Sequence, residues 1–380
     1  MTVKIGIQHD EVIHANGERQ SYSERWADIA STFDITPVWI DTYAPGAVEA
    51  VRSCDAFMWR YDPSLRSRQR AHRFLYAAEF GLNLPVFPSL RTRWHVEDKI
   101  LQAEVFSAMS IPHPRTWVFR DPDSTEHFIE TAEYPFVLKL SSGYRSSNVR
   151  LIESRAQARA YAQRLFGDGV FSLASPLTGP VREVLRRGRR TFASLHGRNV
   201  DSPADGRELH YGYFLAQEFV DSNDFDVRVT VVGHRAYAFR RFNRPNDFRA
   251  SGSGLIDWAP EKIDDSMIRA ALKLAQRLGA QTVAVDFLEH DNSPLILELT
   301  LTYASWAVNR CPGYWFLANP LDADSDIQWS NQPLRCEDAV LQDFIGAIRG
   351  RSKHNLEPGG QQQPMQSFCD LPPELGPLGS

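Results

Sequence analysis

Two carboxylates stand twelve residues apart in a segment able to bring them together. Asp286 shares a strand face with Thr282 and Ala284, and Glu298 shares one with Ile296 and Thr300, because strand side chains repeat with period two. His290-Asp-Asn-Ser-Pro294 reads as the turn, centred near Asn292. Reflection about that centre sets Asp286 opposite Glu298, and like charges so placed destabilise a sheet. Among apolar neighbours the pair is expected to need a proton or a cation, with at least one carboxyl pKa raised when no cation is bound. On that expectation Asp286→Asn and Glu298→Gln relieve repulsion and fold at least as well as the unsubstituted chain. Oxygen ligands on a rigid hairpin suit Mg²⁺. The plainer alternative is one exposed carboxylate and one held by an arginine.

Lysine is scarce: six Lys stand against 36 Arg. Lys139 ends the apolar run Phe136-Val-Leu-Lys-Leu140, where a lysine is rarely buried without a partner. It leads into Ser141-Ser-Gly-Tyr-Arg-Ser-Ser-Asn148, a small, polar turn whose N–H groups suit phosphate oxygens. An ordinary hairpin with a lysine reaching to solvent is the alternative. Asp226, Arg228 and Thr230 alternate with Val227, Val229 and Val231, and Arg240, Arg241, Arg244 and Arg249 follow. Arginines near paired carboxylates suit a polyanion, or else form a solvated face.

The elements that would carry these residues follow from periodicity. Residues 1–95 alternate short apolar strands (Val3–Gln8, Ile35–Ile40, Ala56–Arg60) with helical patterns such as Leu65–Phe80, which predicts an α/β domain with a parallel sheet. Residues 96–213 read as a helix from about Val96 to Met109, a strand Arg115–Phe119, a hairpin Phe136–Leu140/Val149–Ile152, and a helix opened by the capping box Ser154-Arg-Ala-Gln157. From Phe214 longer strands dominate an α+β lobe over 214–350, with a helix Asp264–Leu278 stopped by Gly279. Pro180–Arg207 carries seven Arg and reads as an insertion, and 351–380 as a disordered tail.

Composition narrows the class. With 380 residues, 43% hydrophobic and 23% charged, the chain suits two or three globular domains and not a disordered polymer. A net charge of −5 speaks against a general nucleic-acid coat. The cysteines Cys54, Cys311, Cys336 and Cys369 form no C-x-x-C, which suits reduced thiols. No leader pattern and no apolar stretch near 18 residues occurs, so a cytoplasmic location with no membrane partner is expected. None of the eleven His forms a metal pair at helical spacing, and no G-x-S-x-G is present. Arg186-Arg-Gly-Arg-Arg190 reads as a solvated insertion sooner than a nucleic-acid patch.

In this order the pieces resemble the ATP-grasp superfamily, from about Val3 to Trp315. Glu97-Asp-Lys99 and Ile111–Phe119 resemble the first nucleotide lysine and its following strand. Lys139 resembles the second lysine, and Ser141–Asn148, with Ser142 and Gly143, the phosphate-covering loop. Ala216-Gln-Glu-Phe-Val220 is similar to the adenine hinge. Asp286 and Glu298 match the spacing of the magnesium carboxylates in the ribosomal-protein glutamate ligase-like branch, and Asp247-Phe-Arg-Ala-Ser251 resembles that branch's arginine turn. Asn223-Asp-Phe-Asp-Val-Arg228 and Cys311-Pro-Gly-Tyr-Trp315 resemble ATP-grasp proteins of surface-polysaccharide gene clusters. One position departs: the third metal ligand is usually Asn, and here it is Thr300.

The resemblance implies an ATP-grasp fold with an N-terminal parallel-sheet domain and two nucleotide-clamping lobes. It implies an ATP- and Mg²⁺-dependent ligase that joins a carboxylate to an amine through an acyl phosphate. Lys99 and Lys139 would meet phosphates; Gln217, Glu218, Phe219 and Val220 adenine; Asp224 or Asp226 ribose. Asp286, Glu298 and Thr300 would hold Mg²⁺, and Arg228, Arg241 and Arg249 the transferring phosphoryl. The expected partners are a small-molecule or peptide carboxylate and an amine, with a homodimer left open. A kinase on the same fold and a non-catalytic ATP-binding protein stay open as alternatives. The carboxylate substrate is expected near the first domain. There Ser21-Tyr-Ser-Glu-Arg-Trp26 reads either as its contact through Arg25 or as an N-capped helix with Trp26 in the core.

Overall fold

The computed structural model describes residues 2–10, 12–13, 19–143, 148–172, 208–221, 223–245, 247–291 and 293–354. The Arg-rich insertion 180–207, Arg186–Arg190, residues 144–147, Asn292 and the tail from 355 lie outside the described residues.

Among the described residues three larger sheets and two two-stranded ribbons, Val12–Ile13 with Arg19–Gln20 and Val170–Phe171 with Leu209–His210, are formed. The first is parallel, in the order Ile35–Trp39, Val3–Ile7, Ala56–Met58, Val86–Phe87. Its strands are short apolar runs joined through helices, as predicted for an α/β layer. The helix Tyr22–Ile29 starts at Ser21, whose hydroxyl accepts from Glu24 N, and Trp26 is fully buried. Arg25 makes a two-point ion pair with Asp338, and the segment is the capped helix with Trp26 in the core.

The second sheet is antiparallel, in the order Thr116–Phe119, Phe214–Glu218, Phe136–Lys139, Val149–Ile152. Phe214–Glu218 reads from sequence as the first strand of the later lobe, yet it pairs inside this sheet. Only long-range pairing decides that. Helices Pro122–Thr131 and Arg155–Phe166 cover one face around Ile129, Phe136, Leu138 and Phe214. Ser154 accepts from Gln157 N, as the capping box predicts.

The third sheet has seven antiparallel strands along Ser293–Thr300, Thr282–His290, Phe225–Val232, Arg235–Phe242, Tyr314–Leu317 and Ile327–Ser330, with Ile256–Asp257 added to Arg235–Phe242. One face carries Val227, Val229, Val231, Val283, Val285 and Phe287, packed on the helix Asp265–Leu278. That helix ends where Gly279 turns left-handed at φ +63°. A one-residue slip would put Asp286 in this core and Phe287 outside, so the apolar face fixes the register. The opposite face carries Asp226, Arg228, Arg241, Asp286 and Glu298.

A helix Cys336–His354 packs against Tyr22 and Trp26, clamping the parallel sheet to the rest. The apolar positions Val340, Leu341, Phe344, Ile345 and Ile348 carried its signal. It runs through 351–354, four residues that the sequence reading gave to the tail.

Candidate functional site

The hairpin Thr282–His290/Ser293–Thr300 places Asp286 directly across from Glu298, as the reflection predicts. Pairing closes at His290 with Ser293, which centres the turn half a residue earlier than assumed. A bulge between Asp286 and Phe287 restores the offset. Thr300 lies opposite Ala284 on the same face.

The two carboxylates are not left to repel each other. Arg228, across from Asp286 on the next strand, donates Nε to Oδ1 at 2.7 Å and Nη2 to Oδ2 at 2.8 Å. Arg241 reaches Asp286 Oδ2 at 2.9 Å and grips Asp226, its own cross-strand neighbour, at 2.6 Å through both nitrogens. Burial would push the Asp286 carboxyl up, but Arg228 and Arg241 override it and hold it at about 2. The expected rise is thus reversed at Asp286, because two guanidiniums arrive from strands far away in sequence. Burial does raise Asp226, against the pull of Arg241.

Lys99 begins the helix Lys99–Ala108, capped by Asp98, whose side chain accepts from Leu101 N. A cation is disfavoured at a helix N-terminus by the backbone dipole, so another partner must hold it there. Lys99 Nζ meets Glu298 Oε1 at 3.0 Å and Gly143 O at 3.0 Å. Burial pulls its ammonium down, but Glu298 and Glu97 carry it above the ordinary value. Gln102, which the sequence reading missed, fixes this geometry. Its amide donates to Leu299 O at 3.0 Å and accepts from Leu299 N at 2.8 Å, riveting the helix to the strand of Glu298.

Lys139 ends its strand with 6% exposure. Among the described residues its Nζ has no hydrogen-bond or ion-pair partner. Burial, with a smaller push from Lys99, lowers its pKa to about 8 against the opposing pull of Glu298 and Asp286. Its surroundings disfavour its charge, yet it stands beside two carboxylates that others have taken.

The start of the phosphate-like loop is held firmly. Lys99 N donates to Ser141 O at 2.8 Å, and Gly143 N donates to Glu97 at 2.6 Å. Gly143 sits at φ +132°, and a Cβ there would stand 2.4 Å from the Asn148 amide, so glycine is required. Ser142 donates to Glu208 at 2.6 Å, and Glu208 pairs with Arg68 at 2.7 Å. Sequence spacing gave no sign of that tie to the parallel-sheet layer.

The remaining predicted residues lie apart from this cluster or at its rim. Gln217 and Glu218 lie in the strand Phe214–Glu218, where Gln217 donates to Thr116 and Glu218 pairs with Arg115. Phe219 packs edge-on against Phe248, and Val220 follows it toward the third sheet. Asp224 is exposed, and its carbonyl accepts from Asn243 N. Arg249 is held by Asp247 at 2.8 Å and reaches Val149 O at 3.4 Å. So Lys99, Lys139, Arg228, Arg241, Asp226, Asp286 and Glu298 converge, and Arg249 reaches Val149, the strand partner of Lys139.

Among the described residues no helix is long and apolar enough to cross a membrane, and no three His, Cys, Asp or Glu side chains cluster as metal ligands. Asp286, Glu298 and Thr300 are all oxygen donors, the set that Mg²⁺ prefers. Glu298 keeps Oε2 without a described partner, whereas both Asp286 oxygens are engaged. The set fits Mg²⁺ with Glu298 as the open ligand.

Comparison with known proteins agrees with this architecture. The curated relatives include a probable alpha-L-glutamate ligase of Xylella fastidiosa, 25% identical over 212 residues, covering 54% of this chain and 55% of that protein. The chain thus spans about half the length of that relative. Among solved structures, the D-cycloserine synthetase DcsG superposes with TM-score 0.51 at 16% identity, over 90% of this chain and 99% of that one. The ATP-grasp ligase PsnB, solved with a phosphomimetic precursor variant, Mg and ADP, gives 0.52 at 15% identity, over 91% and 99%. Residues 201–308 match the RimK-like ATP-grasp domain, and the chain carries the ATP-grasp fold.

Proposed function

We propose that the protein is an ATP-dependent carboxylate–amine ligase. The observation that carries this reading is the convergence of two buried lysines on Glu298, one of them, Lys139, with no partner of its own. A buried ammonium without a counter-ion is costly, and a triphosphate would supply the missing charge. Lys99, Lys139, Arg228 and Arg241 face Glu97, Asp226, Asp286 and Glu298, and among the described residues Lys139 is the one of these cations with no carboxylate of its own, which is where an anion would be taken.

In the reaction the substrate carboxylate oxygen attacks the γ-phosphorus, and the bond to the β-phosphate oxygen breaks, giving an acyl phosphate and ADP. The amine nitrogen then attacks the acyl carbon; phosphate leaves, and the amine loses a proton to solvent. No protein nucleophile is required, so positioning and charge neutralisation supply the rate. Lys139 and Lys99 bind the phosphates, and the Ser141–Gly143 backbone covers them. Arg228 and Arg241, held rigid by Asp286 and Asp226, face the transferring group. Gln217 to Val220 meet adenine, and Asp224 or Asp226 the ribose. Mg²⁺, held by Glu298 with Asp286 and Thr300, would supply further charge neutralisation. The likeness to the glutamate ligase, the cycloserine synthetase and PsnB supports amide formation over phosphoester formation.

Incubation with Mg-ATP, a carboxylate panel and hydroxylamine tests the reading. ADP together with a hydroxamate is expected. ADP with a stable phosphoester means a kinase, and ATP binding with no ADP means a non-catalytic binder.

A further inference from the structure

The first two residues of the phosphate-like loop, Ser141 and Ser142, stand against a buried histidine. His210 lies in the ribbon that Leu209–His210 makes with Val170–Phe171, and it is 3% exposed. Both of its ring nitrogens face hydroxyls. Nδ1 lies 2.9 Å from Tyr213 Oη and 3.3 Å from Ser141 Oγ, and Nε2 lies 3.3 Å from Ser142 Oγ. Ser141 N donates to Tyr213 Oη at 2.8 Å, and Ser141 O accepts from Lys99 N at 2.8 Å.

The direction of each bond follows from the groups themselves. Ser142 has one hydroxyl proton and gives it to the Glu208 carboxylate at 2.6 Å, which Arg68 grips at 2.7 Å. The Ser142 oxygen then accepts from His210, so Nε2 carries the ring proton and Nδ1 is the acceptor. Tyr213 Oη, which takes the Ser141 N–H, gives its own proton to Nδ1. One chain of bonds thus runs from Arg68 through Glu208, Ser142, His210 and Tyr213 to the Ser141 backbone. It requires a neutral ring. Burial, with smaller pushes from Arg68 and Lys99, holds the His210 pKa below the ordinary histidine value against the pull of Glu208.

We propose that His210 is a positioning residue for the phosphate loop, holding Ser141 and Ser142 in the arrangement that receives the terminal phosphates of the nucleotide while touching no substrate itself. This rests on the ligase reading and deepens it. Donors that are already ordered spare the ligand the cost of ordering them.

Calorimetric titration of the full chain with Mg²⁺ tests it with two probes, a non-hydrolysable ATP analogue and AMP, which has no β- or γ-phosphate for the loop to cover. His210→Leu removes both ring bonds, and His210→Gln keeps one donor and one acceptor. Tyr213→Phe removes only the hydroxyl between the ring and the Ser141 N–H. His210→Leu is expected to lose about tenfold or more in affinity for the analogue, with AMP affinity unchanged. His210→Gln is expected to bind both nucleotides nearly as wild type does. Tyr213→Phe is expected to lose about fivefold for the analogue alone, and it decides the matter where His210→Leu does not fold. The proposal is overturned if Tyr213→Phe or a folded His210→Leu binds the analogue as wild type does. It is also overturned if AMP weakens as much as the analogue, or if His210→Gln loses as much as His210→Leu. An analogue that does not bind wild type at all overturns the ligase reading as well; normal binding with unaffected variants overturns this proposal alone.

Discussion

Lys139 offers the sharpest test of the site, because its protonation is set by burial and a phosphate would reverse that setting. Its ammonium is held at about 8, against an ordinary value near 10.4. The difference of roughly 2.4 units corresponds to about 3 kcal/mol of penalty on the charged form in the empty site. The folded chain loses this proton before the unfolded chain does. The penalty is therefore present in full below about pH 8 and is relieved as pH climbs toward 10.4.

A triphosphate beside Lys139 removes the penalty by supplying charge and hydrogen bonds, so binding and protonation are linked. If the bound pKa returns to its ordinary value, ATP affinity is flat below about pH 8 and falls close to tenfold per unit above it. Binding should take up about half a proton at pH 8 and most of one by pH 9. Lys99 adds nothing in this window, since Glu298 and Glu97 carry its pKa above the ordinary value against the pull of burial. The last phosphate proton leaves near pH 6, below the window. Calorimetry with Mg²⁺ and an ATP analogue, in two buffers of different ionisation heat, measures the uptake directly. Lys139→Met keeps the shape without the titrating group and should flatten the profile. No proton uptake at pH 8 to 9 in wild type, or the same slope in Lys139→Met, would refute the reasoning.

Asp286→Asn leaves Arg228 and Arg241 partly unpaired in a buried network, so the ligand-free protein should lose about 3 to 5 kcal/mol, read by denaturant melts. That outcome is the opposite of what mutual repulsion with Glu298 requires. Glu298→Gln leaves Lys99 the Gly143 carbonyl, so a smaller loss of about 1 kcal/mol is expected, with most of the Mg-ATP thermal shift gone. Arg25→Ala should cost about 1 to 2 kcal/mol through its Asp338 pair and leave the Michaelis constant for ATP unchanged. Gly143→Ala meets Asn148 and a strained backbone, so nucleotide affinity should fall at least tenfold while the bulk fold holds in circular dichroism.

Much of the fold was legible because it is local. Period-two runs and a turn signal located the Asp286–Glu298 hairpin, and Gly279 and Ser154 marked helix ends by their own conformational needs. What stayed hidden depends on residues far apart. Phe214–Glu218 could be assigned to the second sheet only by knowing that it slides between Thr116–Phe119 and Phe136–Lys139. The Gln102 clamp on Leu299 spans 197 residues, and the Arg228–Asp286 pair spans 58. No periodicity reports such contacts.

The same distance explains why the expectation of two mutually repelling carboxylates failed. A buried charge must be compensated within its own surroundings, whatever ligand it later serves. Asp286 and Glu298 satisfy this with Arg228, Arg241 and Lys99, so an expectation built on the hairpin alone, with two lone anions, had to fail. Lys139 obeys the rule differently. Both carboxylates it faces already have partners, so its compensation is a lowered pKa instead of an ion pair. A structural lysine would sit at the surface or hold one carboxylate to itself. A lysine that is buried and uncompensated by any carboxylate of its own is costly to the ligand-free protein, and on the proposed reading a bound phosphate would recover that cost.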